Sequence, residues 1–257
     1  MTGRLVLRRL APLVLFLALV AIWEGACRLL QVPSYFLPAP SAIWGELLAG
    51  WGLILASAAV TFGMALAALA IASVVACLAA LAVSLDSLLD DAVRPLAVAL
   101  QVTPIVAIAP QVAIWAGLAH PERAVIALAA VVAFFPIFSG AATGLKSADP
   151  DLERLLDLYG ASPLKRLVRL RIPAATPFLL EAHKVAAGLA VVGAVVAEFV
   201  AGSGRTQGLA WRITEAANRL RTAEEFAALA VLAALGLLFH AVMQALETVA
   251  LKIWSGR

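Results

Sequence analysis

Between Leu53 and Leu85 the chain is a continuous run of alanine, leucine, valine and similar residues without one charge. About 20 residues at roughly 1.5 Å each already cross the hydrocarbon core of a bilayer as a helix. This run is longer, so it must tilt strongly or extend beyond the lipid. The same character fills the chain: 63% of its 257 residues are hydrophobic and 14% charged, and the mean hydropathy is +0.99. Soluble domains run at roughly 45–50% apolar and about 25% charged, so a soluble core could not hide this surface. Outer-membrane barrels need alternating polarity in segments of about 10 residues, and the run shows no alternation. The expected fold class is therefore all-α, a polytopic membrane protein.

Apolar runs predict about six transmembrane helices, near 10–30, 53–84, 95–118, 124–145, 174–201 and 226–251, within a single transmembrane domain covering 1–257. Arg4, Arg8 and Arg9 before the first run resemble a signal peptide, and Gly25-Ala26-Cys27 resembles a lipoprotein cleavage box. Glu24 stands where such a box needs an aliphatic residue, so a retained helix is expected. Six crossings put both termini on one side. With that side cytoplasmic, the inner Lys/Arg set is Arg4, Arg8, Arg9, Arg94, Lys146, Arg154, Lys165, Arg166, Arg169, Arg171, Lys252 and Arg257. The outer set, Arg28, Arg123, Arg205, Arg212, Arg219 and Arg221, is smaller, which favours cytoplasmic termini.

The spans are not alike. Pro95, Pro104 and Pro110 accompany Gln101, Thr103 and Gln111 in the third. Internal prolines delete backbone hydrogen bonds and bend helices, and the freed carbonyls must face protein or water. That makes Gln101, Thr103, Pro104 and Gln111 candidates to line a translocation path. The alternative is that the prolines are ordinary for membrane helices and the glutamines bond to neighbours. Gly140 and Gly144 form a GxxxG pair in span four, and Gly188 and Gly193 punctuate span five, positions that let backbones approach. Glu24, Glu181 and Lys184 are expected near interfaces, with Glu181 and Lys184 paired at i,i+3. Glu198, late in span five, is a further path candidate. Cys27 and Cys77 lie in apolar runs and support neither a disulfide framework nor a metal site.

The loop from Lys146 to Pro173 carries most of the remaining information. Asp149-Pro150 is a helix start, with aspartate as N-cap and proline in the first turn. Leu152, Leu155, Leu156 and Tyr159 follow as an apolar stripe, and Gly160 ends the helix. Ser162-Pro163 opens a second helix with Leu164, Leu167, Val168 and Leu170 on one face, and Pro173 is expected to close the unit. Such a hairpin is too short to bury its own stripe in water. It meets a partner, or it lies flat on anionic headgroups.

The spacing Gly160-x9-Leu170-x-Ile172-Pro173 resembles the cytoplasmic loop of bacterial ABC-importer permeases, written EAA-x3-G-x9-I-x-L-P. Arg154-Leu155-Leu156 departs from the EAA triplet, and Leu170 and Ile172 exchange the usual isoleucine and leucine. Further segments are similar to permeases for sulfonates, taurine, nitrate and thiamine or riboflavin precursors. They are Trp23-Glu24, Val32 to Ser41, Phe134-Phe135-Pro136-Ile137, Tyr159 to Ser162, Gly193 to Phe199 and Gly208-Leu209, in order over nearly the whole chain. The resemblance implies a subunit in the bacterial inner membrane, coupled through Leu152, Leu155, Leu156, Tyr159, Gly160 and Ala161 to an ATP-binding subunit. It implies two such subunits below, a second permease copy, most simply identical, and a periplasmic or lipid-anchored substrate-binding protein outside. Gly193 to Phe199 and the Phe134-Phe135-Pro136 run lean towards the heterocyclic precursors.

No nucleotide site is readable. G-x4-G-K-[S/T] is absent, Gly144-Leu145-Lys146-Ser147 is a fragment of it, and Gly202 to Gly208 misses GxGxxG by one residue. This chain is thus expected to hold no cofactor and to have no ATPase site, with ATP bound by partners. A net charge of +3 with no basic tract argues against nucleic acid. A channel or ion-coupled carrier would call for intramembrane relays or inverted repeats, neither of which is readable. A membrane-embedded enzyme is disfavoured because His120, His183 and His240 stand far apart.

Overall fold

The computed structural model describes residues 2–117, 119–202 and 206–255, with the side chains of residues 2–9, Ser87 and Ser255 excepted. Leu118 at the expected end of span three, Ser203 to Arg205 of the glycine-rich run, Arg257 and the side chains of Arg4, Arg8 and Arg9 lie outside the described set. The described residues form helices and no strand. They are α1 (Thr2–Leu29), α2 (Pro40–Ala49), α3 (Trp51–Leu85), α4 (Ser87–Val102), α5 (Ile105–Ala116), α6 (Pro121–Lys146), α7 (Pro150–Leu158), α8 (Pro163–Arg166), α9 (Ile172–Ala201), α10 (Leu209–Asn218) and α11 (Thr222–Ser255). A five-residue π segment, Leu167–Arg171, joins α8 to α9.

Five helices are long and apolar enough to cross a membrane, and α4 with α5 makes a sixth crossing if the pair counts as one. The chain is a multi-pass helical membrane protein. The third crossing differs from the single span expected over 95–118: α4 and α5 meet at a bend of 100°. Pro104 is the cause. A proline disfavours the helical region for the residue before it, and Thr103 is extended, with ψ 123°. Thr103 softens the break, its Oγ1 donating to the Ala99 carbonyl at 2.7 Å.

The loop between α6 and α9 also differs from expectation. Pro173 does not close a hairpin, because helix runs without interruption from Pro163 to Ala201. In an α-helix the Pro173 ring would press on the carbonyl four residues back and leave it unbonded. The preceding turns widen instead, and the Ile172 N–H donates to the Leu167 carbonyl five residues away. The second expected helix is therefore the foot of span five.

α3, α6 and α9 make the core, most extensively along the α6–α9 seam. Small residues allow the approach: a Cβ on Gly140 would collide with Ala182, and one on Gly144 with Ala175. Gly193 similarly meets Ala129, whereas Gly188 faces open space. In lipid such seams gain from close packing rather than from burial out of water. Phe138, Leu128, Ile137 and Val125 of α6 are the large side chains sealed inside.

The ends of the bundle carry the polar contacts. At one, the loop end, α3 stops and α6, α7 and the π segment meet. At the other, short helices α2 and α10 cover the bundle; sequence periodicity had not separated them from the loops. α10 buries Leu209, Ala210, Ile213 and Ala216, and Ile43 of α2 packs with Ile54, Ala58, Leu209 and Ala227. α1 stands apart, with only 6% of its apolar window buried. Glu24 fastens its end, accepting from Arg28 Nε at 2.6 Å, the Ser41 N–H at 2.9 Å and Ser41 Oγ at 2.8 Å.

Candidate functional site

α7 begins as its sequence demands. Pro150 fills the first turn, and Asp149 accepts from the Asp151 N–H at 2.8 Å. Its end is a Schellman closure: the Ala161 N–H donates to the Leu156 carbonyl and the Gly160 N–H to the Asp157 carbonyl, both at 2.9 Å. That geometry places Gly160 at φ 66°, where a Cβ is strained.

No residue of α7 is buried. Leu152 and Leu155 are about half exposed, and Tyr159 is 79% exposed. The expected stripe is partly rearranged. Leu156 turns towards the body, Ala161 is half-buried, and Leu158, which the stripe did not include, is 86% exposed. The presented surface is thus Leu155, Leu158 and Tyr159, with Arg154 beside it paired to Asp151 at 3.0 Å.

Two ion pairs tie α7 to the foot of span five. Arg171 holds both oxygens of Glu153, through Nε at 2.6 Å and Nη2 at 3.2 Å. Arg166 reaches Asp157 at 2.9 Å. The Arg171 hydrogen bonds hold the Glu153 carboxyl below its ordinary value. Beside them Lys146 of α6 pairs with Asp90 of α4, which also takes Arg94.

The broken span supplies the second feature. Leu100, Gln101, Thr103, Ile105 and Ile108 line a cavity of about 220 Å³ with Val131, Val132 and Pro136 of α6 and Leu189 of α9. Gln101 and Thr103 thus come together, with Pro104 making the bend between α4 and α5. Gln111 is an exposed residue of α5 and is not part of this lining.

Glu198 is elsewhere. It is 3% exposed and accepts from Thr206 Oγ1 at 2.8 Å, the Gly208 N–H at 2.7 Å and the Ala210 N–H at 3.3 Å. It closes the N-terminus of α10, and from the glycine-rich run it takes the Gly208 N–H, while the Gly202 N–H goes to the Glu198 backbone carbonyl. Glu181 and Lys184 form the expected pair, and Lys184 takes a partner that helical spacing could not reveal, Glu247 of α11 at 3.0 Å. His183 bonds Ser73 Oγ at 2.9 Å across α3 and α9. Among the described residues no three His, Cys, Asp or Glu side chains gather as metal ligands.

Curated relatives match the chain over nearly its whole length. The chain is 30% identical to the formylaminopyrimidine transport permease protein ThiX of Halalkalibacterium halodurans, over 94% of this chain and 95% of that one. It is 29% identical to the riboflavin transport system permease protein RibX of Chloroflexus aurantiacus, over 92% and 87%. Identity to the taurine transport system permease protein TauC of Escherichia coli is 26%, over 93% and 87%. The family described as "Binding-protein-dependent transport system inner membrane component" matches residues 72–250, from α3 to α11. Multi-pass helices, an unburied loop helix and that match together place this chain in the family of ABC-importer inner-membrane permeases.

Proposed function

We propose that this chain forms the translocation path of an ATP-driven importer and takes its energy from separate ATP-binding subunits gripped at α7. One observation carries the reading: α7 is a capped, sharply terminated helix that presents Leu155, Leu158 and Tyr159 and buries none of its residues. An apolar face kept in water is a surface for a partner. Leu152, Leu155, Leu156, Tyr159, Gly160 and Ala161 make or shape that contact, joined by Leu158. The loop end faces the cytoplasm, and both termini lie on that side. A binding protein delivers solute to the opposite end.

Two copies of the chain, most simply identical, enclose one path at a two-fold axis. The broken span and its cavity, with Gln101, Thr103 and Pro104, line it, and closure of the ATP-binding subunits rocks the copies between inward-open and outward-open states. Gln111 lies further along the same helix pair. Glu198 holds the opposite end together rather than touching solute. The solute is a small heterocyclic vitamin precursor, a reading supported by similarity to permeases named for formylaminopyrimidine and riboflavin.

The test is reconstitution of the chain with its ATP-binding subunits and binding protein in vesicles. ATP-dependent accumulation of formylaminopyrimidine or riboflavin is expected. Accumulation of taurine alone would overturn the solute, and accumulation without ATP would overturn the mechanism. Gly160→Val, which puts a β-branched residue at positive φ at a cost of about 1–2 kcal/mol, should abolish uptake while membrane insertion is retained. Normal uptake by that variant would sink the coupling role of α7.

A further inference from the structure

We infer that Arg171 is a positioning residue that makes α7, α3 and the foot of α9 move as one lever, by gripping Glu153 and the Ser84 carbonyl together. The inference rests on the docking role proposed for α7. It arises from the way α7 is attached. A helix that buries no side chain is not held by packing. A cavity of about 380 Å³, lined among others by Ser84, Asp90, Lys146, Pro150, Glu153 and Arg171, opens between its first turn and the loop end of the bundle. A push on α7 cannot cross that space through apolar contact.

Arg171 spans it. Nε and Nη2 hold the Glu153 carboxylate, and Nη1 donates to the Ser84 carbonyl at 3.2 Å. Ser84 lies in the last turn of α3, where helix carbonyls lack intrahelical partners. Arg171 itself closes the π segment and is continuous with α9. One planar guanidinium therefore joins three elements, separated by 18 residues on one side and 87 on the other. The fork fixes direction as well as distance, which a lysine ammonium cannot do. The second tie, Arg166 to Asp157, ends on a carboxylate that is 66% exposed and is the weaker brace.

The experiment places spin labels at Asp151 of α7 and Leu85 at the end of α3, in a Cys27→Ala, Cys77→Ala background. The distance distribution is read in the complex with the ATP-binding subunits, before and after trapping with ATP and vanadate. The parent should keep one narrow distribution in both states. Glu153→Gln and Arg171→Lys should broaden it about twofold, as a single ammonium or a neutral amide cannot hold the fork. In both variants the centre should also shift on trapping, as α7 follows the ATP-binding subunits and α3 stays behind. The exchange Glu153→Arg with Arg171→Glu should leave it broad, because a carboxylate at position 171 has no N–H to donate to the Ser84 carbonyl. Distances unmoved by the variants, with the subunits still held, overturn the lever alone. Loss of the subunits from Glu153→Gln assigns the pair to docking and also overturns it. A parent chain that never retains the subunits overturns the docking reading beneath it.

Discussion

Glu198 shows how much one carboxylate can organise. A buried acid in an apolar helix is costly unless donors surround it, and here the donors come from the segment that follows the span. Thr206, Gly208 and Ala210 converge on it, and the carboxyl group sits at the N-terminus of α10, where it satisfies N–H groups that have no partner within the helix. Gly208 must be glycine because a Cβ there would lie 2.4–2.7 Å from the carboxylate atoms. Removing the acid leaves buried donors without partners, at about 1–3 kcal/mol each. Glu198→Ala should lower the melting temperature of the detergent-solubilised protein by roughly 5–10 °C, and Gly208→Ala should do nearly the same by expelling the carboxylate. Unchanged melting in Glu198→Ala would show that the cap contributes nothing. The sequence placed Glu198 at the end of a span and made it a site candidate. Its donors were invisible there because they lie beyond the end of the span, where no periodicity runs. The same limit hid Glu247 from Lys184 and Arg171 from Glu153, since helical spacing finds only neighbours three or four residues away.

At the scale of elements, long apolar runs were legible and interruptions were not. The charge-free stretch from Leu53 to Leu85 is α3 almost to the residue, because lipid exposure demands an unbroken apolar helix. The prolines were harder to rank. Pro95 and Pro110 lie inside helices, while Pro104 breaks one. The difference lies in whether the preceding residue stays helical, which tertiary packing decides. α7 was legible from Asp149-Pro150 to Gly160 because its caps are local chemistry. Its attachment to the body was not, and that attachment depends on pH. Arg171 holds the Glu153 carboxyl below the ordinary carboxylate value. The stabilisation is thus complete above that ordinary value and fades as pH falls through the lower, folded-state value. A mobility probe on Arg154 should report a fixed α7 at pH 6 and a freer one once pH has fallen through the lowered Glu153 value, below the ordinary carboxylate range. In Glu153→Gln the probe should be mobile at both pH values. A parent α7 equally fixed throughout this range would deny the ion pair its role in holding the helix.

For the whole molecule, the question is which end of the bundle meets which compartment. The two ends differ in kind. The loop end gathers Lys146, Arg154, Lys165, Arg166, Arg169 and Arg171 around an unburied helix. The opposite end is covered by α2 and α10, and Arg212, Arg219 and Arg221 there pair with Glu215 and Glu224, as Lys146, Arg154, Arg166 and Arg171 pair with acids at the loop end. The ends therefore differ in the number of cations and in the unburied helix. Lysine and arginine near span ends are retained on the cytoplasmic side, and the binding-protein-dependent family needs its energy source on that side and its solute on the other. Both arguments favour the cytoplasmic loop end proposed above. With Cys27 and Cys77 replaced by alanine, Leu158→Cys should resist a membrane-impermeant thiol reagent in intact cells and react in inverted vesicles stripped of the ATP-binding subunits that would cover it. A cysteine at Leu220, 80% exposed between α10 and α11, should react in intact cells. The reverse pattern would put α7 outside the cell, away from any ATP, and would remove the coupling mechanism along with the orientation.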